Sequence, residues 1–90
     1  MWEKTYSQQN ITTNAIRKFA EQRNLQCSLA STLKTKDENQ HFHFKMKKEK
    51  GVLEVTLFAD EIQLHVHENR RGNWVENEIT AWENWIQTIG

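Results

Sequence analysis

The sequence contains no proline, only three glycines and a single cysteine. With one cysteine, no disulfide can form within the chain. Cys27 falls in phase with neighbouring apolar residues, which predicts a buried, unreactive thiol. No apolar run approaches the roughly 20 residues that a transmembrane helix requires. A membrane span and a signal peptide are therefore not expected, and the composition favours a cytoplasmic protein.

The chain also lacks net charge, because 12 Lys and Arg balance 12 Asp and Glu among its 90 residues. No overall field would draw it to nucleic acid or to a membrane. A chain of this length makes one domain, residues 1–90. Within it, residues 1–9 form either an N-terminal arm docked through Trp2 and Tyr6 or an extra strand.

Alternating apolar and polar residues dominate the middle of the sequence. This period of two is typical of strands that have one apolar and one polar face. Three such triplets predict a three-stranded antiparallel meander: Phe42, Phe44 and Met46; Leu53, Val55 and Leu57; Ile62, Leu64 and Val66.

Residues 10–24 have a helical apolar period with Thr12 or Thr13 as the N-cap, and residues 25–35 alternate as a further strand. A last helix begins at Asn73, and its apolar stripe is Val75, Ile79, Trp82, Ile86 and Ile89. The predicted fold class is α+β, with element order α-β-β-β-β-α. It is a two-layer open-faced sandwich, with both helices on one face of a four-stranded antiparallel meander and the other face open to water.

The four histidines form two His-x-His pairs, His41/His43 and His65/His67, which the alternation assigns to the polar face. Aligning the apolar triplets pairs Phe44 with Val55 in the first hairpin and Val55 with Leu64 in the second. This register separates His43 from His65 by roughly 11–12 Å. One zinc ion cannot bridge that distance.

The predicted register therefore implies no four-histidine metal site, and we expect no cofactor. His65 and His67, with Glu54 opposite, remain a candidate for a two-histidine site.

No nucleophile elbow, phosphate-binding loop or metalloprotease helix occurs in the sequence, so we expect a non-enzymatic binding protein. The expected partner is another protein, or a second copy in a homodimer, bound through the exposed sheet face or a tryptophan flank of the last helix. That flank could instead close the edge of the sheet. The residues of the expected surface are Phe58, Val52, His41, His43, Trp74 and Trp85.

A nucleic-acid-binding module is the alternative. Lys34, Lys45 and Lys47 lie on or beside the histidine face and could contact phosphates. Arg70 and Arg71 precede the N-terminus of the last helix, where anions are favoured.

Overall fold

A computed structural model describes residues 2–8, 10–32, 40–67 and 73–89, and it leaves the side chains of residues 28–32 undescribed. Its elements are β1 (Trp2–Ser7), α1 (Thr13–Gln22), β2 (Leu25–Thr32), β3 (Gln40–Met46), β4 (Leu53–Leu57), β5 (Glu61–Val66) and α2 (Asn73–Ile89). The strands form one antiparallel sheet in the order β1-β5-β4-β3-β2. The predicted α+β class and antiparallel sheet are confirmed.

The predicted count of four strands is wrong, because the N-terminal segment forms a fifth strand. β1 pairs with β5 along its whole length, from Trp2 opposite Val66 to Ser7 opposite Glu61. Trp2 and Tyr6 are half-buried and pack against the core. Of the two predicted alternatives for this segment, an arm or a strand, the structure has the strand.

Polar contacts attach β1 to the last helix. The Tyr6 hydroxyl donates to Glu83 Oε2 at 2.8 Å, and Lys4 Nζ lies 3.0 Å from the same oxygen. Burial and the neighbouring carboxylate raise the pKa of Tyr6 well above its usual range. Hydrogen bonds from Lys4, which has the larger effect, and from Tyr6 lower the pKa of Glu83. The edge strand and α2 are thus held together by ionic as well as apolar contacts.

Helix α1, Thr13–Gln22, is shorter at both ends than the predicted segment 10–24, and its cap is one of the two predicted threonines. Thr12 is the N-cap, and its side-chain oxygen accepts a hydrogen bond from the Ala15 backbone N–H at 3.1 Å. Ile16 and Ala20 are buried against the sheet. Asn24 follows the helix with a φ of 62°, a left-handed conformation that asparagine tolerates well.

Alternate residues of β3, β4 and β5 form the core together with both helices. The predicted apolar triplets are buried except for Met46, which is half-buried. Trp82 is fully buried and contacts the rings of Phe19, Phe44 and Trp85. The predicted stripe of α2 is confirmed, since Val75, Trp82 and Ile86 are buried while Ile79 and Ile89 pack half-buried against the same cluster.

The second face of the sheet is closed to water along its central strand, which corrects the predicted open face. All five residues of β4 are buried. Two of them, Glu54 and Thr56, alternate with the core residues and yet are only 4% and 5% exposed. The central strand therefore buries polar side chains on the face that the alternation assigns to solvent.

A buried ion pair joins the two helices. Glu78 of α2 is 2% exposed, and Arg23 at the end of α1 reaches both of its carboxylate oxygens, with Nη2 2.6 Å from Oε2. The hydrogen bonds to Glu78 raise the pKa of Arg23. Because Glu78 is enclosed, the guanidinium supplies the charge compensation that its carboxylate requires.

Strand pairing confirms one predicted register and corrects the other. Val55 lies opposite Leu64, as predicted. In the first hairpin, however, Phe44 lies opposite Leu53 rather than Val55. The pairing is shifted by two residues, and such a shift keeps every side chain on its own face while changing its cross-strand neighbour.

The prediction for Cys27 is wrong, since this residue is exposed. It lies on β2, the outer strand beyond β3, opposite Phe44. A register shift between Cys27 and Leu29 marks a bulge, so the alternation predicted through residues 25–35 does not continue unbroken along this strand.

In the part of the chain that the structure describes, neither helix combines the length and the hydropathy needed to cross a bilayer.

The register of the first hairpin can be checked in solution by nuclear Overhauser effects. The structure predicts cross-strand contacts between His43 and Glu54 and between Phe42 and Val55. The sequence-derived register instead requires contacts between His43 and Thr56, and observing those would contradict the structure.

Replacing Arg23 with Ala leaves the Glu78 carboxylate buried without its cation. We expect a loss of about 2–3 kcal/mol in the free energy of unfolding, at the low end for a buried pair because Arg23 is 39% exposed. Urea denaturation measures this loss of stability.

The matched control is Lys18→Ala on the exposed face of α1, whose free energy of unfolding is expected to lie within about 0.5 kcal/mol of the parent. The double variant Arg23→Met/Glu78→Leu should recover most of the loss. If Arg23→Ala and Lys18→Ala are equally stable, Arg23 does not compensate the charge of Glu78 and the prediction is wrong.

Candidate metal centre

Glu54 lies at the middle of the central strand, between the two histidine pairs. The observed registers place His43 opposite Glu54 on one side and His65 opposite it on the other. His41 lies two residues before His43, and His67 two residues after His65. The predicted register, which did not place His43 and His65 in one row, is therefore wrong for the first hairpin.

The first histidine pair converges on one oxygen of Glu54. His41 Nε2 lies 3.1 Å and His43 Nε2 lies 3.2 Å from Glu54 Oε1. The two imidazole nitrogens are 3.0 Å apart. Three potential ligand atoms thus form a nearly equilateral triangle, which we call the first triad.

The triangle has the size of a metal-ligand set. With bonds of 2.0–2.1 Å to a zinc ion, adjacent ligands are about 2.9 Å apart at 90° and about 3.4 Å apart at the tetrahedral angle. The observed separations lie between these limits. Hydrogen bonds satisfy the arrangement less well, because an N–H points along one direction and two imidazoles cannot align bonds along three edges.

Thr56 orients one of these ligands. His41 Nδ1 lies 2.7 Å from Thr56 Oγ1, and Thr56 is the residue directly opposite His41 in the sheet. When Nδ1–H donates to this hydroxyl oxygen, Nε2 carries the lone pair and faces Glu54. A hydrogen bond of this kind on the distal ring nitrogen commonly fixes the tautomer of a metal-binding histidine.

The second pair faces the other oxygen of the same carboxylate. His67 Nε2 lies 3.1 Å from Glu54 Oε2, and His65 and His67 have ring centroids 4.5 Å apart. The ligand atoms of Glu54, His65 and His67 all lie within 4.8 Å of one another, and we call them the second triad. These are the three residues that the sequence identifies as a candidate site.

Buried polar atoms without hydrogen bonds also occur here. Among the described residues, neither Glu54 Oε2 nor His65 Nε2 has a hydrogen-bond partner. The His67 nitrogen is close to Oε2 but is not aligned for a hydrogen bond. Leaving such groups unsatisfied is costly in a protein interior, and a cation between them would satisfy both.

The arrangement can hold a cation with positions left for other ligands. Each triad offers two imidazole nitrogens and one carboxylate oxygen, the donor set of many catalytic zinc and non-haem iron sites. Such a set occupies three positions, so water or a small ligand can occupy the rest.

The residues of the expected protein-binding surface differ in burial and in the contacts that they make. Val52 is buried, and Phe58 is half-buried in the turn between β4 and β5. Trp74 is 7% exposed and donates from its indole nitrogen to the Lys50 carbonyl oxygen at 2.7 Å. Trp85 is half-buried and stacks on Phe19 with ring centroids 4.6 Å apart. Both tryptophans thus contact the rest of the fold, while His41 and His43 belong to the first triad.

Of the expected nucleic-acid surface, Lys45 and Lys47 are exposed. Lys34, Arg70 and Arg71 lie outside the described residues. The expectations of a protein partner or homodimer, of nucleic-acid binding and of non-enzymatic function stay predictions.

Sequence reasoning missed one member of the site, Thr56, and assigned Glu54 to the second histidine pair alone. One signal in the sequence could have indicated the correct register: Glu54 lies on a strand between two strands that each carry a His-x-His pair. The register that places Glu54 opposite His43 is electrostatically more favourable than the register that places Thr56 there.

Comparison of the chain with protein families, with curated proteins and with solved structures finds no match. The functional interpretation therefore rests on the geometry of the histidine cluster.

Proposed function

We propose that this protein binds a divalent transition-metal ion through Glu54 and its surrounding histidines. The observation that supports this most directly is the first triad, with two imidazole nitrogens and one carboxylate oxygen 3.0–3.2 Å apart. An ion about 2 Å from all three atoms would replace the hydrogen bonds among them with three coordinate bonds.

The chemistry of the donors narrows the choice of ion. Imidazole binds zinc, iron, cobalt, nickel and copper, whereas calcium and magnesium prefer oxygen ligands. All four histidines of the chain belong to the two triads. Zn²⁺ is the ion we propose, and Co²⁺ is its spectroscopic substitute.

Charge favours the same function. Glu54 is 4% exposed, and burial of an isolated carboxylate is strongly unfavourable. The four neighbouring imidazoles are neutral when they act as ligands, so a bound cation would supply the opposite charge that the carboxylate needs.

Adding Zn²⁺ is expected to stabilise the folded protein. At a free ion concentration of 100 times Kd, the gain is about 2.7 kcal/mol. For a chain of this size, that raises Tm by roughly 10–20 °C. Differential scanning calorimetry with Zn²⁺ and with a chelator measures the shift.

The matched control for this experiment is a carboxylate on the same sheet. Glu54→Gln should abolish most of the Zn²⁺-dependent shift, while Glu61→Gln, at an exposed position of β5, should keep it. If Zn²⁺ does not change the Tm of the parent, or if Glu54→Gln responds as the parent does, Glu54 is only a structural partner of the imidazoles and the proposal is wrong.

Thr56→Val tests the orientation of His41, because it removes the hydroxyl and keeps the side-chain shape. We expect Zn²⁺ affinity to fall roughly 10–100-fold in isothermal titration calorimetry. Thr56→Ser should restore it. Thr5→Val on β1, whose hydroxyl accepts a hydrogen bond from Gln63, is the control and should bind as the parent does.

A purely structural role for Thr56 predicts a different result. In that case Thr56→Val would change the free energy of unfolding of the metal-free protein and leave Kd for Zn²⁺ unchanged.

A further inference from the structure

We infer that Glu54 bridges two metal ions, one held by His41 and His43 and the other by His65 and His67. This inference rests on the proposed function and adds the number of ions and the role of each carboxylate oxygen. The site would then be a dinuclear centre built on three adjacent strands.

The two oxygens of Glu54 already face different histidine pairs. Oε1 lies 3.1 Å and 3.2 Å from His41 and His43, and Oε2 lies 3.1 Å from His67. The ligand atoms form two groups that share Glu54. Coordination of one ion by one oxygen leaves the other oxygen directed at the remaining pair.

The sheet gives the cluster an approximate two-fold symmetry about Glu54. His43 and His65 flank Glu54 in the same row, on β3 and β5. His41 is displaced along the strands towards Thr56, and His67 is displaced in the opposite direction, because Gln63 rather than His67 lies opposite Thr56. A carboxylate has the same two-fold symmetry, so its two oxygens can serve equivalent pairs.

The second triad contains two of the buried polar atoms that have no hydrogen-bond partner among the described residues. Glu54 Oε2 and His65 Nε2 are buried without a hydrogen-bond partner in the described part of the chain. An ion in the first triad alone would contact neither atom. A second ion bound to Oε2, His65 and His67 would satisfy both, which is the reason for assigning two ions rather than one.

The two ions should differ in affinity. The first triad has its three ligand atoms 3.0–3.2 Å apart, and Thr56 orients one of its imidazoles, whereas in the second triad His65 Nε2 has no hydrogen-bond partner among the described residues. The first ion also repels the second, since a separation of about 3.5–4 Å is usual for ions that share ligands. The first triad therefore fills first and the second fills at higher ion concentration.

Native mass spectrometry and calorimetric titration with Zn²⁺ test the stoichiometry on the full chain. We expect two ions per chain, with the second bound at least 10-fold more weakly. His65→Ala/His67→Ala should bind one ion with the affinity of the tighter site kept within about 10-fold. His41→Ala/His43→Ala should lose the tighter site and retain one weak ion.

Copper provides a second readout that does not depend on affinity. Two Cu²⁺ ions bridged by a carboxylate couple magnetically, so the doubly loaded protein should give less electron paramagnetic resonance intensity than two isolated ions. The His65→Ala/His67→Ala variant with one Cu²⁺ should give full intensity. If either alanine variant fails to fold by near-ultraviolet circular dichroism, the corresponding glutamine variant replaces it.

The outcomes separate the two proposals. If the chain binds one ion and both histidine pairs are needed for its affinity, the bridging role of Glu54 is wrong but metal binding is supported. The same conclusion holds if the chain binds one ion that depends on His41 and His43 alone. Two Cu²⁺ ions with full signal intensity would show two independent sites and overturn the bridge. No binding of Zn²⁺ or Cu²⁺ would overturn metal binding and the bridge together.

Discussion

The burial of one carboxylate at the centre of the sheet is the constraint on which the arrangement of this face depends. Glu54 is almost fully enclosed, and a charge in such a position needs partners of opposite sign or donors. The four imidazoles gather on it from the two neighbouring strands. Their positions in turn require the pairing of His43 with Glu54, so the hairpin register and the chemistry of the face are determined together.

The two faces of the sheet differ in the contacts that their side chains make. On one face, Trp82 and the alternate apolar residues of β3, β4 and β5 pack with both helices, so burial there provides the stabilisation. The opposite face of β4 contributes Glu54 and Thr56, whose contacts are polar. A rigid core beneath a strand holds the side chains on its other face in place, which favours the preorganisation that metal ligands need.

The alternation in the sequence was sufficient to predict which residues of β3, β4 and β5 are buried, and it placed the histidines on the correct face. It could not distinguish Phe44 opposite Val55 from Phe44 opposite Leu53, because a shift of two residues preserves both faces and both pairings are apolar. The connection between β3 and β4 sets that choice, with left-handed Lys48 and Gly51, and its geometry is not visible in an apolar pattern. The exposure of Cys27 escaped prediction because this residue keeps the phase of Leu25 and lies opposite buried Phe44, but on the outermost strand of the sheet, and an apolar alternation does not show which strand lies at an edge.

The fifth strand also replaces the apolar edge of β5 with a charged one. An outermost strand presents free backbone groups that invite a further strand to add. Along β1, Glu3 and Lys4 are exposed on opposite faces, and Thr5 and Ser7 are exposed as well. An incoming strand would have to desolvate charges on both sides. The short, charged sequence of β1 therefore shields the apolar strand β5 beside it and discourages edge-to-edge growth of the sheet into aggregates.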